Sequence, residues 1–321
     1  MEENKLKLIN MADVEVEEVD WLLYPLIPFG KVTILQGDPG EGKTTAMLHI
    51  IACLTKGETL SFVEDEKEYE PIYVIYQTAE DGLGDTIKPR LVAAGADCSK
   101  VLVIDDSDEA LTISDDRLEM AIEMTGARLV VLDPLQGYLG AGVDMHRANE
   151  IRPLMHRLSV LAEKYGCAVI LIGHMNKNSM GKVNYRGLGS IDITAAARSV
   201  IVCGRIKDEP EMRVLCQIKN SLAPEAQAIA FRLDKKAGFA WCGEIDITAD
   251  ELMSGDYKVS KVKEAEDFLK GILEEGELPT TEVYNLAGQE GIKEKTLRKA
   301  KENLGVLVIK KKNKWYWKLD D

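Results

Sequence analysis

The chain has 321 residues, of which 45% are hydrophobic and 29% are charged, and its formal net charge is −14. No apolar run reaches the roughly 18 residues that a membrane span needs, so the composition excludes an integral membrane protein. The acidic balance excludes a surface that is basic throughout, and any nucleic acid would have to be bound by a local patch. The length suffices for one large core and one small core, and we expect two domains.

The start of the chain and its cysteines bear on where the protein works. Residues 1–20 are acidic and lack the basic start and continuous apolar stretch of a secretory signal, which predicts a cytoplasmic protein. The cysteines contain no Cys-x-x-Cys pair and lie mostly in apolar runs, which predicts reduced core residues and no structural zinc site. The six cysteines are Cys53, Cys98, Cys167, Cys203, Cys216 and Cys242.

Apolar runs rich in β-branched residues alternate with amphipathic segments over the first half of the chain. Near-continuous apolar strands of this kind belong to a parallel sheet covered on both faces, so the pattern predicts an α/β core. The predicted strands are residues 32–35, 72–75, 101–104, 129–132 and 169–172. The predicted helices between them are residues 44–54, 84–94, 115–125 and 147–165.

After these elements the pattern changes to short-spaced strands, which predicts an antiparallel extension of the same sheet. The predicted strands of this extension are residues 199–202, 212–218, 226–233 and 239–241. We expect the first domain to span residues 1–245, followed by a linker at 246–259, where large hydrophobic residues are few.

Residues 260–321 are predicted to form a small winged helix-turn-helix domain. The expected helices are residues 262–273, 280–287 and 293–303, and the expected hairpin strands are 306–309 and 315–319. Residues 291–321 carry ten basic and four acidic residues, which favours DNA contact, with protein docking as the other use of such domains. Trp315 and Trp317 are expected to pack the wing on its core. The predicted DNA contacts are Lys293, Lys295, Arg298, Lys299, Lys310, Lys311 and Lys312.

A glycine-rich motif follows the first predicted strand and opens the first predicted helix. Its sequence fits G-x-x-x-x-G-K-[ST], in which backbone N–H groups and the helix N-terminus surround the phosphates of a nucleotide. We expect Lys43 to reach the β- and γ-phosphates of ATP. The predicted nucleotide-binding residues are Gly37, Asp38, Pro39, Gly40, Glu41, Gly42, Lys43, Thr44 and Thr45.

Asp133 ends the apolar run 129–132, and a carboxylate at the carboxyl end of a buried parallel strand lies where ligands bind in open α/β sheets. We expect Thr44 and Asp133 to hold Mg²⁺. Without the phosphate-binding loop, such an aspartate would more often be a turn cap.

Two more strand ends carry polar residues that could serve in hydrolysis. Glu80 and Asp81 follow the second strand, and one of them should orient the attacking water; we favour Glu80 as the base, with an acidic helix cap as the alternative. His174 follows the fifth strand and is the candidate γ-phosphate sensor. The glycine-rich stretch 178–190 follows it and contains few apolar anchors.

Together these pieces resemble the RepA-like branch of RecA-fold ATPases, whose best-known members are hexameric replicative helicases of plasmids. The resemblance covers roughly residues 13–241. It rests on Trp21-Leu22-Leu23, the glycine-rich motif, residues 77–81, Leu132-Asp133-Pro134, residues 174–177 and Ala197-Arg198-Ser199. It implies a RecA-like P-loop core that hydrolyses ATP with Mg²⁺, in a homohexamer whose active sites lie between subunits.

The resemblance also implies residues that act across a subunit boundary and on DNA. Arg205 matches the arginine that this family supplies to the adjacent subunit, and Lys219 matches a second basic position used in trans by related ring helicases. By the same likeness, residues 177–190 would face a central channel and hold single-stranded DNA. The candidate contacts there are Lys177, Lys182 and Arg186, with Tyr185 available for stacking.

The C-terminal domain departs from the plasmid helicases. Chains of this extended layout resemble ATPases of phages and mobile elements, which implies a primase or replication initiator as a partner. Two other functions stay open beside the helicase: a RadA-like recombination or repair ATPase, and a DNA-binding regulator switched by ATP.

Overall fold

The computed structural model describes residues 8–62, 70–175, 191–234, 236–255, 261–274, 276–311 and 314–319. Within those residues the chain forms two compact units, Met1–Asp256 and Tyr257–Asp321. No helix of the described ranges combines the length and the apolar character that a bilayer span requires.

The first unit is an α/β structure. Its strands are β1 (Trp21–Leu23), β2 (Ile27–Pro28), β3 (Val32–Gly37), β4 (Val74–Thr78), β5 (Val101–Leu102), β6 (Leu129–Asp133), β7 (Ala168–His174), β8 (Ser199–Ile206), β9 (Glu209–Asn220), β10 (Ala228–Asp234) and β11 (Gly238–Ile245). Its α-helices are α1 (Lys43–Lys56), α2 (Lys88–Ala93), α3 (Asp116–Thr125), α4 (Ala148–Tyr165), α5 (Ile191–Ala196) and α6 (Ala249–Ser254).

Nine strands form one sheet in the order β11-β10-β9-β8-β3-β7-β6-β4-β5. The pairs from β8 through β3, β7, β6 and β4 to β5 are parallel, and β9, β10 and β11 continue antiparallel. The predicted parallel core and antiparallel extension are therefore confirmed. The extension begins one strand later than expected, because β8 is still parallel to β3.

The alternation of side chains along each strand builds a core on both faces of the sheet. Leu35 and Val131 pack with α1 and α2 on one face, whereas Ile34 and Val130 pack with α3, α4 and α5 on the other. Helix α4 shows how the sequence specifies such a face: its buried residues are Ile151, Leu154, Met155, Leu158, Leu161 and Ala162, at the spacing of an amphipathic helix.

Three predicted elements differ from the structure. The helix predicted at 84–94 opens with a π-helical turn at Leu83–Ile87, so that α2 is only six residues long. The strand predicted at 101–104 keeps two residues, because it lies at the edge of the sheet, where β4 is its one neighbouring strand in the described part of the chain. The segment predicted as a linker contains α6, which begins with a capping box at Thr248 and Glu251 and buries Leu252.

The second unit contains α7 (Lys261–Leu273), β12 (Leu278–Pro279), α8 (Thr280–Gln289), α9 (Glu294–Asn303), β13 (Leu307–Lys311) and β14 (Lys314–Lys318). Its strands form an antiparallel sheet in the order β12-β14-β13. This is the element order of the predicted winged helix-turn-helix. Trp317 is buried in its core, as expected, but Trp315 is 53% exposed, so the prediction that both tryptophans pack on the core is wrong for Trp315.

Candidate functional site

The carboxyl ends of four parallel strands meet at one edge of the first unit. Because β7 lies between β3 and β6, and β4 lies beyond β6, the edge brings together segments that are distant in the chain. A cavity of about 550 Å³ opens there and is lined by residues from all four strand ends. Its lining residues are Pro39, Gly40, Gly42, Lys43, Thr44, Thr45, Thr78, Glu80, Asp81, Arg90, Asp133, His174 and Leu233.

The glycine-rich motif connects β3 directly to α1. Gly42 precedes the helix with φ +89°, in the left-handed region that favours glycine, and a Cβ there would meet Leu233 and Phe231 of β10. A Cβ at Gly37 would clash with the backbone oxygen of Cys203 in β8. The loop therefore lies against the sheet extension on one side and opens to the cavity on the other.

Lys43 is the first residue of α1 and is 5% exposed. Its Nζ donates to the backbone oxygens of Gly37 at 2.9 Å and Asp38 at 2.8 Å. Burial lowers the pKa of Lys43, since the charged amine has lost most of its water. A polyphosphate bound in the cavity would favour the charged amine again.

Thr44 and Asp133 meet at the floor of the cavity. Thr44 Oγ1 donates to Asp133 Oδ2 at 2.7 Å, and the Tyr76 hydroxyl donates to the same oxygen at 2.8 Å. Asp133 is 8% exposed, and burial raises its pKa despite these two donors. One hydroxyl and one carboxylate suit Mg²⁺, which binds proteins through few oxygen ligands and keeps its remaining sites for phosphate and water.

We expect Asp133→Asn to lower ATP turnover at least about tenfold while it stabilises the free protein at neutral pH. Both hydrogen bonds end on Oδ2, so an asparagine carbonyl can accept both after the charge is gone. The folded-state pKa of Asp133 is raised, so the wild-type carboxylate costs stability above that pKa and costs none below its unfolded value of about 4. The stability gain of the variant, measured by urea unfolding, should therefore grow as the pH rises above about 4 and level off above the raised folded-state pKa of Asp133. A gain that shrinks with pH would contradict this account.

The two carboxylates after β4 have different surroundings. His174 Nε2 lies 3.7 Å from Glu80 Oε2, and the Glu80 side chain is 64% exposed. Asp81 instead pairs with Arg90 at 3.4 Å, and its N–H donates to Thr78 Oγ1. Of these two carboxylates, Glu80 is therefore the more exposed and the more weakly engaged in the described residues, which favours it over Asp81 as the candidate base.

The outer side of the phosphate loop is attached to the β8–β9 hairpin by a charged cluster, which we call the loop clamp. It consists of Glu41, Arg205 and Arg213, and the two arginines are opposite each other on β8 and β9. Glu41 Oε1 lies 3.4 Å from Arg205 Nη2, and Glu41 Oε2 lies 3.8 Å from Arg213 Nε. Burial, and secondarily the like charge of Arg205, lowers the pKa of Arg213. Glu41 thus supports the loop from behind and does not line the cavity.

Lys219 has a structural place within its own chain. Its Nζ donates to the backbone oxygens of Thr194, Ala195 and Ala197 at 2.8 to 3.0 Å, which satisfies the C-terminal end of α5. Burial lowers the pKa of Lys219. Action on a neighbouring subunit would require Lys219 to leave all three carbonyls.

The predicted DNA contacts fall into three groups. Lys177, Lys182, Tyr185, Arg186 and Lys312 lie outside the described residues. Arg298 pairs with Glu294, Lys299 with Glu302, and Lys311 with Glu277, so acidic neighbours balance these charges. Lys293, Lys295 and Lys310 have no acidic partner within the described ranges.

Sequence reasoning missed Tyr76, Arg90 and Leu233, and it did not single out Thr78, which also lines the cavity. Tyr76 lies inside an apolar strand, where a tyrosine carries no sign of its contact with Asp133. Arg90 reaches the cavity from α2, and Leu233 reaches it from β10. Arg90 follows Glu80 on the next helix, which was the one available signal; nothing in the sequence places Leu233 beside Gly42.

The chain is similar in sequence to an ATPase-type domain family and to RecA proteins. Residues 2–180 match a family model described as AAA domain, AAA_25. The RecA protein of Oleidesulfovibrio alaskensis is 25% identical over 239 residues, which cover 68% of this chain and 63% of that protein. The RecA protein of Rickettsia canadensis is 23% identical over 230 residues, which cover 68% of this chain and 64% of that protein. The chain thus spans less than two thirds of the length of these relatives.

A solved structure described as the ATPase domain of G40P superposes with a TM-score of 0.51 at 14% sequence identity. The superposition covers 67% of this chain and 85% of that one. At this identity the likeness shows the fold, and it confirms the predicted RecA-like α/β core.

Proposed function

The chain belongs to the AAA domain family AAA_25, and from that premise we propose that it is an ATP-hydrolysing motor that moves along single-stranded DNA as a ring-forming replicative helicase. ATP binding is the property that the phosphate-binding loop of this family implies. Four further properties are part of the proposal: magnesium binding, single-stranded DNA binding, assembly into a ring, and strand separation.

The contact between Glu80 and His174 carries the proposal. Glu80 is the candidate base beside the γ-phosphate, and His174 is the last residue of β7. The chain runs from β7 into residues 176–190, where the DNA contacts are predicted. Loss of the γ-phosphate on hydrolysis would reposition Glu80 and, through His174, the end of the strand that leads into this segment. Hydrolysis would in this way be coupled to the affinity for DNA.

The residues of the cavity divide the chemistry among them. Glu80 would hold a water in line with the γ-phosphate and accept its proton at the carboxylate. Lys43 would stabilise the charge that develops on the phosphate oxygens, together with the loop N–H groups. When bound, Mg²⁺ supplies further positive charge there, and Thr44 and Asp133 would hold it.

The proposal is tested by measuring ATP hydrolysis, strand separation and assembly on one preparation. We expect single-stranded DNA to stimulate hydrolysis severalfold, a forked duplex to be separated, and mass in solution to rise to that of a ring with an ATP analogue. A hydrolysis rate that DNA leaves unchanged, together with no strand separation, would contradict the helicase function. Open filaments in electron microscopy would favour the RadA-like alternative, and slow hydrolysis with tight, sequence-specific duplex binding would favour the regulator.

A further inference from the structure

A groove of about 660 Å³ lies in the second unit, between the start of α8, the last turn of α9 and strand β14. This volume is in the range of small-ligand sites and accommodates a nucleobase. The residues used below are Thr280, Thr281, Lys301, Lys314, Trp315 and Trp317.

The aromatic side of the groove has a buried part and an exposed part. Trp317 is 3% exposed and packs edge-on against Tyr284, with ring centroids 5.5 Å apart. Trp315 lies two residues earlier in β14, hence on the same face of the strand, and is 53% exposed. The Trp315 ring does not belong to the buried core cluster of the described residues, and it lines the groove with a large apolar surface.

The charge of the groove is positive and unbalanced. Lys301 Nζ lies 5.1 Å from the centroid of Trp317, and Lys310 Nζ lies 5.4 Å from that of Trp315. In the described part of the chain, neither these two lysines nor Lys314 has an acidic partner. This contrasts with the exposed side of α9, where Arg298 and Lys299 are paired with glutamates.

The start of α8 adds hydrogen-bond donors. The N-cap residue of this ten-residue helix is Pro279, which makes no side-chain capping bond, so in the described residues its first N–H groups have no cap at that position and could bind an anion. The Thr280 hydroxyl is buried and has no hydrogen-bond partner among the described residues. Thr281 adds a second hydroxyl to the lining. The groove therefore combines an exposed indole, unpaired lysines and a site for an anion.

We propose that this groove binds single-stranded DNA, with an unpaired base stacked on Trp315 and the adjoining phosphate held by Lys301 and Lys314. An indole beside lysines matches the alternation of flat bases and phosphates along a strand. Duplex DNA cannot offer the same contact, because its bases are already stacked on one another. The site lies in a different unit from the ATP cavity, and the proposal stands whether or not the protein is a helicase.

The test uses the full chain without nucleotide and a labelled single-stranded oligonucleotide that carries a photoreactive base. We expect Trp315→Ala, and separately the double variant Lys301→Ala/Lys314→Ala, to weaken binding at least about fivefold, the smaller end of the effect of removing one stacked base. We expect Trp315→Phe, which keeps an aromatic ring, to retain most of the affinity. The cross-linked peptide, identified by mass spectrometry, should contain Trp315.

Lys270→Ala is the matched control, because it removes an exposed lysine of the same unit outside the groove. Thermal unfolding of each variant separates a lost contact from a lost fold, since Trp315 is not part of the core. Unchanged affinity in both groove variants, or a cross-link confined to other peptides, would overturn the proposal. Tighter binding of duplex or of an acidic peptide than of the single strand would overturn it as well. A cross-link at Trp315 in a protein whose ATPase rate does not respond to DNA would support DNA binding in the groove and contradict only the proposed motor function.

Discussion

Glu80→Gln is expected to leave ATP affinity near that of the wild type and to lower the hydrolysis rate by about 10²- to 10⁴-fold, the usual effect of losing a general base. The amide keeps the size of the side chain and cannot accept the proton of the attacking water. The Glu80 side chain is exposed at the cavity, and among the described residues its ionic contact is the 3.7 Å approach of His174, so we expect its replacement to leave the fold intact. Calorimetry of ATP binding and a phosphate-release assay on the same variant check both halves of this expectation.

Two matched variants serve as controls for Glu80→Gln. Lys43→Ala should lose ATP binding itself, because the amine sits at the centre of the loop and bonds its backbone. Asp81→Asn changes the adjacent carboxylate, which is paired with Arg90, and should lower the rate far less than Glu80→Gln. If Asp81→Asn abolishes hydrolysis and Glu80→Gln does not, the roles of the two carboxylates are reversed.

Much of the fold was predictable because parallel strands are buried on both faces and so leave a continuous apolar run. The run at 129–132 became β6 and ended at Asp133, at the sheet edge where a ligand carboxylate was expected. Helix ends were predictable from similar local causes, such as Gly166 after α4, which adopts a left-handed conformation. Local pattern therefore determined the elements and the phosphate loop.

The remaining features depend on which strands are neighbours, and a periodic pattern does not encode this. The bond from Tyr76 to Asp133 exists because β4 lies beside β6, and the two residues are 57 positions apart. The loop clamp likewise depends on the register that sets Arg205 opposite Arg213. Trp315 shows the same limit on a smaller scale: alternation placed it on the inner face of the wing, but the inner face extends beyond the core.

Arg205 and Lys219, the two candidates for action on a neighbouring subunit, differ in how strongly each is held within its own chain. Lys219 donates three bonds of 2.8 to 3.0 Å to the end of α5, whereas the contacts of Arg205 are 3.4 Å to Glu41 and 3.5 Å to the oxygen of Gly40. The Arg205 side chain is 41% exposed, and an ion pair of that exposure contributes at most about 1 kcal/mol. Arg205 can therefore leave Glu41 at little cost, and we propose it as the residue that enters the site of the neighbouring subunit.

Complementation between inactive variants tests this assignment. Arg205→Ala should lower hydrolysis by about 10³-fold or more, as removal of an arginine finger does, and Lys43→Ala should be inactive. A mixture of the two contains interfaces that join an intact Lys43 to an intact Arg205 from the next subunit. Random assembly at equal amounts makes about a quarter of the interfaces productive, so activity should return to about that fraction of the wild-type rate.

The loop clamp supplies the competing explanation, in which Arg205 acts only within its own chain by holding Glu41 and the phosphate loop. In that case no mixture can be active, because each subunit carries its own defect. Glu41→Gln is the informative control: it removes the charge that holds Arg205 and leaves the loop backbone in place. A purely cis role predicts that Glu41→Gln is as damaging as Arg205→Ala, whereas a role in trans predicts that Glu41→Gln retains most of the activity. Failure of complementation together with a damaged Glu41→Gln variant would make Arg205 a support of its own phosphate loop.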